Sequence, residues 1–490
     1  LKIRIVILAI IFLSLFALTS PFNIQRVSGQ EAIYIKADGS IDPSTAPLQK
    51  NGNIYTLNSD IYGFLVIEKD NITIDGQNFT LQGKSEFESK GVTLLGRTNV
   101  TIKNLQIREF YYGIWLRYSH NNKLIKNTMT ENTGRSFWLG YSSNNTITNN
   151  NISKNKGRGI LLDHSPNNII ANNEIINGGC DALVVSHSND NLIFENTIAE
   201  NNGNGIWLGY SNSSKIYGNN IISNNYNGLS LYFSKNNTIY GNTISNSNVN
   251  GINLKHSNHT TIFNNNFVNN HIQIYLESSN ETVWNISYPF GGNFWSHFNG
   301  TDFYHGPSQN NTGSDGISDK QYFIEENHVD KYPLMGIFRR FNILFDFNVD
   351  VVSNYTIENV RFFQANATIT MSLSSNTINQ TFGFCKVTIS HELITPKYIV
   401  KINNIDANYT TLFENETLSI IYFKYYDLKP TITILPEFQL NIVNSILLVL
   451  ISTCTLLTCT RKGRNKNQSS LIQCNTRMCQ VSSAPCMPAH

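Results

Sequence analysis

Apolar residues in the middle of the chain fall at alternate places within short runs, and the runs themselves recur. GIWLRYS from Gly113, SFWLGYS from Ser136, GILLDHS from Gly159, ALVVSHS from Ala182, GIWLGYS from Gly205, GLSLYFS from Gly228 and GINLKHS from Gly251 follow one another every 23 residues. Alternation with period two is a strand pattern that turns one face inward. Runs this short and this evenly spaced cannot be independent hairpins, but they can be successive turns of one coil. Stacked coils would place equivalent residues about 4.8 Å apart, so like packs on like. The columns Ile114, Phe137, Ile160, Leu183, Ile206, Leu229, Ile252 and Leu116, Leu139, Leu162, Val185, Leu208, Leu231, Leu254 then form internal ladders. Each such side chain contributes roughly 1.5 to 3 kcal/mol when fully buried.

The second half of each unit repeats as well. Leu124, Ile147, Ile170, Ile193, Ile216, Ile239 and Ile262 form one apolar column, and Met129, Ile152, Ile175, Ile198, Ile221, Ile244 and Phe267 another. Asn127, Asn150, Asn173, Asn196, Asn219, Asn242 and Asn265 form an unbroken amide column. Stacked amides satisfy one another along an axis, so these asparagines read as structural. The expected fold is all-β: a right-handed parallel β-helix of about ten coils, capped because no coil shields its own face.

The remaining pattern divides the chain further. Residues 1–30 begin with Lys2 and Arg4, continue apolar from Ile5 to Leu18, and read as a signal peptide. Residues 31–53 are an N-terminal cap, 54–290 the helix and 291–337 a closing segment. Alternating runs such as FNILFDFNVDVV in 338–436 predict a small β-sandwich acting as a stalk. A second apolar run within 437–460, followed by Arg461, Lys462 and Arg464, predicts one C-terminal transmembrane helix with a cytoplasmic tail at 461–490. The chain is thus expected at the cell surface, its ectodomain membrane-anchored.

Charged residues make up only 14% and the net charge is +2, so no basic field exists to gather nucleic acid. Between the two apolar runs only Cys180 and Cys385 occur, which excludes a disulfide framework. Sequons such as Asn71, Asn151, Asn285 and Asn408 would allow glycosylation of an exposed surface.

The repeat GI-x-L-x-x-S-x-N-N-x-I-x-x-N-x-I-x-x-N resembles the right-handed parallel β-helix family of the copper-binding protein NosD and of related carbohydrate-binding and sugar-hydrolase domains. GGNFWSHFNGTDF from Gly291, DGISD from Asp315 and DKYPLM from Asp330 resemble the closing segment of archaeal surface proteins, and GFCKVTI from Gly383 is similar to their membrane-proximal domain. Leu435-Pro436-Glu437-Phe438 looks like an archaeal sorting signal at which the tail would be processed. The NosD resemblance implies copper, for which thiol, thioether or imidazole ligands would be needed. The helix offers Met129, Cys180 and scattered histidines, without a His-rich or Met-rich tract.

Chemistry on such a scaffold sits on outward columns. Trp115, Trp138 and Trp207, with Arg135 and Arg158, are candidates for a glycan-binding face, because aromatic rings stack on the apolar faces of sugars. The residues before the closing serines run Tyr118, Tyr141, His164, His187, Tyr210, Phe233 and His256, so His164 and His187 are expected as neighbours. With Asp163 and Asp181 they are the candidate acid–base or metal group. The same rings also read as a corner ladder without chemistry. Asn311, Asp315, Asp319 and Asp330 are candidate Ca²⁺ ligands, Gly316 allowing the sharp turn.

Paired-Asp, Gly-His-Gly and Arg-x-Lys signatures of pectin-degrading helices are absent. The expectation is therefore a non-catalytic protein presenting a glycan- or partner-binding face. The alternatives are a polysaccharide lyase, hydrolase or epimerase, or a NosD-like copper binder. Its partner would be a polysaccharide, a surface glycan or another surface protein.

Overall fold

A computed structural model of the chain describes residues 31–325, 327–344, 347–376 and 382–437. Successive coils stack in register, forming three parallel faces. The first face carries Tyr112–Arg117, Arg135–Gly140, Arg158–Asp163, Leu183–Ser186, Ile206–Gly209, Leu229–Tyr232, Asn250–Lys255 and Ile272–Glu277, each paired in parallel with the next. The second face includes Lys123–Ile125 and Thr146–Thr148, and the third Thr128–Thr130 and Asn151–Ser153. The registers pair Ile114 with Phe137, Leu116 with Leu139, Leu124 with Ile147 and Met129 with Ile152. All these ladders are buried in one core.

Corners between faces are made by residues with positive φ, four per coil in the regular part: Tyr118, Asn121, Lys126 and Glu131, then Tyr141, Asn144, Asn149 and Lys154 in the next. A non-glycine residue there costs on the order of 1 kcal/mol. The compensation lies one residue on. Each such corner is followed by a small polar residue, Ser119, Asn122, Asn127 or Asn132, whose side chain turns inward and is buried. The four polar columns run through the helix and take up the backbone groups that the corners free from regular pairing. In the Asn127 column each amide oxygen accepts the N–H and the side-chain N–H of the coil before, as Asn150 does from Asn127 at 2.8 and 3.1 Å. Each side-chain nitrogen also donates to a carbonyl of the coil before, as Asn150 does to Leu124 at 2.9 Å.

This column ends in the closing segment. Asn293 Oδ1 accepts from Asn265, and Asn293 N–H donates at 2.7 Å to Asp330 Oδ2, which stands where the next amide oxygen would be. Trp295 Nε1 and Tyr332 N–H also donate to this fully buried carboxyl. Gly292 is required by the approach: a Cβ there would collide with Asp330.

Burial pushes the Asp330 carboxyl up from 3.8 to about 7, although the surrounding donors pull it down. A raised carboxyl favours the protonated folded state. Its stabilisation is complete below 3.8 and is lost as pH rises through about 7. Melting temperature is therefore expected to fall between these values, and Asp330→Asn to flatten part of that slope; an unchanged slope in the variant would show that other groups set it.

Residues 337–436 form two five-stranded antiparallel sheets packed face to face. They dock on the helix. Asn266 and the Phe338 backbone exchange two hydrogen bonds of 2.8 Å, Asn342 Nδ2 donates to Glu195 at 2.6 Å, and the Arg340 guanidinium lies over Tyr240. Tyr240 belongs to a stack on the second face, Phe194, Tyr217, Tyr240 and Phe263, with centroids 4.8 to 5.2 Å apart.

One expectation is corrected here. No helix of the described residues is long and apolar enough to cross a membrane, so the described fold is all-β, and the expected C-terminal transmembrane helix, with the membrane anchoring and localisation built on it, is not carried forward. Leu435 and Pro436 of the expected processing motif lie in the strand Thr431–Pro436, which is paired within the sandwich. The expected signal peptide at 1–30, nearly all of the span at 437–460 and the tail at 461–490 lie outside the described residues.

Candidate functional site

Sandwich contacts fall on the second and third faces, and the first face presents its outward columns. The corner column there is a continuous stack of rings. Tyr118, Tyr141, His164, His187, Tyr210, Phe233 and His256 follow at centroid spacings of 4.5 to 5.4 Å. All seven have φ near +50°. That conformation swings the ring out of the corner while the following serine turns in. Ring faces are used on one another, so edges are what the stack offers to a ligand.

His164 and His187 are the parallel pair at its centre, 4.8 Å apart and 3° from coplanar orientation. Asp163 Oδ1 lies 2.8 Å from His164 Nδ1, and Ser186 Oγ 3.0 Å from His187 Nδ1. With Asp163 ionised, His164 Nδ1 carries the proton and donates it, which leaves Nε2 as the basic nitrogen of a carboxylate–imidazole dyad. Asp163 is half-buried and both histidines are exposed.

Arg135, Arg158 and Asp181 lie elsewhere. They occupy the opposite edge of the first face, five residues from Asp163 along the strand Arg158–Asp163, which is about 16 Å at strand rise. Arg158 Nε pairs with Asp181 Oδ2 at 3.6 Å, and Asp181 Oδ1 accepts two bonds from Asn204. Arg135 donates to the Tyr111 hydroxyl at 2.9 Å. Asp163 and Asp181 are therefore not brought together.

Trp115 and Trp138 stack on each other at 5.4 Å, and the indoles of Trp138 and Trp207 reach along their strands over Gly140 and Gly209. A Cβ at either glycine would collide with the indole. Between them Leu161 and Val184 are nearly covered. The sequence pattern had not singled out Arg117. It stands in register with Gly140 and then Asp163, so the Trp138 indole lying over Gly140 separates an exposed guanidinium from the dyad. The signal was the column after each second inward leucine: Arg117, Gly140, Asp163, Ser186.

Asp163, His164 and His187 place ligand atoms within 4.8 Å of one another, a candidate metal-ligating group. The donor types suit copper or zinc. The geometry does not suit a shared ion. Imidazole lone pairs lie in the ring plane, so rings this parallel aim them side by side rather than at one point. Two nitrogens each about 2.0 Å from one ion are at most about 4 Å apart. Tyr141 and Tyr210 stack on the outer faces of the pair at 4.8 and 4.9 Å and hold it in this orientation.

The four candidate calcium ligands are also placed apart. Asp319 accepts from the N–H groups of Phe303 and Tyr304, and Asp315 from Gln309 and Ile317 N–H. Asp330 ends the amide ladder. Asn311 is exposed in a two-residue strand facing Tyr304–His305.

The family pattern described as periplasmic copper-binding protein (NosD) matches residues 33–224 and 195–300, together more than half of the chain. The chain belongs to the NosD family. The match covers the helix and leaves 301–490, with most of the closing segment and the sandwich, outside it. No curated protein matches. Among solved structures, this NosD-family chain is similar to the periplasmic alginate epimerase AlgG at 18% identity, over 46% of this chain and 68% of that one, with a TM-score of 0.38. It is similar to the A-module of Azotobacter vinelandii mannuronan C-5 epimerase AlgE6 at 18%, over 52% and 90%, with a TM-score of 0.38. An alginate lyase from Paenibacillus sp. aligns at 12%, over 45% and 92%, with a TM-score of 0.29.

These neighbours are polysaccharide-acting enzymes by description, and the expectation of a non-catalytic chain is not carried forward. Scores this low say nothing of chemistry. The case for a reaction rests on the side chains.

Proposed function

We propose that this NosD-family chain acts on an acidic polysaccharide laid along the first face, cleaving it by β-elimination with His164 as base. The observation that carries the reading is the Asp163–His164 dyad, with a second imidazole parallel to it one coil further. An imidazole can take a carbon-bound proton only if a neighbouring carbonyl or carboxylate acidifies it, which selects a uronate. His164 Nε2 would take the proton from the carbon beside the carboxylate, the bond to the glycosidic oxygen would break, and His187 in its protonated form would supply a proton to that oxygen. Arg117 would face the uronate charge beyond the Trp138 indole that lies over Gly140.

The placement discriminates among reaction types. Base and acid stand on one side of the bound chain, as elimination from one face needs, whereas inversion at a ring carbon needs proton donors and acceptors on both. Hydrolysis needs two carboxyls roughly 5 to 9.5 Å apart, and Asp163 and Asp181 lie on opposite edges.

Incubation with polygalacturonate, alginate and other polyuronates should produce unsaturated uronate ends, read by their ultraviolet absorbance. New reducing ends without unsaturation would replace elimination by hydrolysis, and neither product across the panel would defeat the proposal.

A further inference from the structure

The C-terminal end of the helix holds a second concavity that the first-face reading does not use. It is a cavity of about 470 Å³ between the last coil and the hairpin formed by Tyr322–Glu325 and His328–Asp330, within the size range of small-ligand sites. Gln273, His297 and Tyr322 line it together with Ile272, Ile274 and Ile324. No Asp, Glu, Lys or Arg is among its lining residues.

Hydrogen bonds order the protons from Asn270 through Gln273 and His297 to Tyr322. Asn270 Nδ2 donates to Gln273 Oε1 at 2.8 Å, so Gln273 Nε2 is the end that faces His297 Nδ1 at 3.1 Å. An amide nitrogen only donates, so Nδ1 accepts and the imidazole proton sits on Nε2. That nitrogen lies 2.8 Å from the Tyr322 hydroxyl and donates to it. The hydroxyl oxygen is thus engaged as an acceptor, and its own proton is left for another partner.

Tyr322 is also held in place. Its ring stacks at 4.4 Å on Trp295, which stacks at 4.5 Å on Phe267 in the core. Burial raises the phenol above its ordinary range and keeps it a donor. Ile272 is 45% exposed in the same lining, an apolar surface next to oriented polar groups.

We infer that this cavity is a binding site for a neutral sugar residue, Tyr322 donating to a sugar hydroxyl while Ile272, Ile274 and Ile324 meet the C–H face of the ring. The absence of Asp, Glu, Lys and Arg from the lining argues against an ionic ligand, and a lining that joins apolar side chains to oriented hydrogen-bonding groups suits the C–H surface and hydroxyls of a pyranose. The inference stands independently of elimination at the first face.

Calorimetric titration of the full chain with cellotetraose, mannotetraose and tetragalacturonate tests it. Saturable binding of a neutral tetrasaccharide is expected, weakened about 3- to 10-fold by Tyr322→Phe, which removes one hydrogen bond and keeps the ring stack. Ile272→Arg, which fills the cavity from an exposed position, should abolish it at unchanged melting temperature, and His164→Ala should leave it intact. Binding of the uronate alone, binding insensitive to both cavity variants, loss of binding in His164→Ala, or no binding by either neutral probe would each overturn the assignment.

Discussion

Replacing His164 by Ala is expected to lower the rate of unsaturated-end formation by about 10²- to 10⁴-fold, the usual range for a positioned general base. The loss should fall on kcat, with KM little changed, because the imidazole edge meets the reacting proton and contributes little to holding the chain. Asp163→Asn should give a smaller loss. An amide at 163 still fills the site, but its carbonyl no longer carries the charge that fixes the Nδ1 proton and stabilises the imidazolium formed in the reaction. His187→Ala should slow natural substrate and should matter less for an analogue whose leaving group departs without a proton. His164 is exposed, so melting temperature should move little, and the kinetic effect can be read without a folding artefact. A variant lacking this ring that keeps half of the wild-type rate would remove His164 from the reaction.

Much of the scaffold could be read from spacing alone, because in a coil one column is one physical position. Ile114 and Leu116 pack on Phe137 and Leu139 as the alternation required, and Ser119, Ser142 and Ser165 turn inward together. Two of the four polar columns were not legible. The Asn122 column passes through Ser214 and Thr260, and the Asn132 column through Gly178 and Ser247, so the identity breaks while the role of a small inward residue mostly persists. The adjacency of His164 and His187 followed from the repeat, but its consequence did not. Ring orientation decides whether two imidazoles share an ion, and only coordinates show that these lie parallel. Asp181 lies close to Asp163 in sequence yet on the far edge of the face, since distance in sequence gives the coil and not the place across it. Asp330 was legible only as an acid. Its partner Asn293 is 37 residues away, and nothing local marks it as the end of an amide column.

The amide column also supports the largest stability effect expected of a single substitution. Asn196 is 1% exposed and makes a full set of bonds: its backbone N–H and side-chain nitrogen donate to Asn219 Oδ1, the same side-chain nitrogen donates to the carbonyls of Ile170 and Phe194, and its Oδ1 accepts the N–H and side-chain N–H of Asn173. Leucine has the same branched shape and number of side-chain heavy atoms, with bulkier methyl ends, and leaves no cavity. It nevertheless leaves the Asn173 N–H buried without a partner and removes the side-chain bonds to the Ile170 and Phe194 carbonyls and to Asn219 Oδ1. An unpaired buried donor costs about 1 to 3 kcal/mol and each further lost bond about 1 kcal/mol, so Asn196→Leu should destabilise the helix by about 3 kcal/mol despite its gain in apolar surface. For a unit of this size that is a fall in melting temperature on the order of 6 to 12 °C. Asn220→Leu, an exposed asparagine on a neighbouring strand, is the matched control and should stay within about 0.5 kcal/mol of the parent. Because coils couple to their neighbours, the lesion should spread as early hydrogen exchange in the coils of Asn173 and Asn219 before the array ends respond. Equal melting of the two leucine variants would mean that the stacked amides do not hold the coils together.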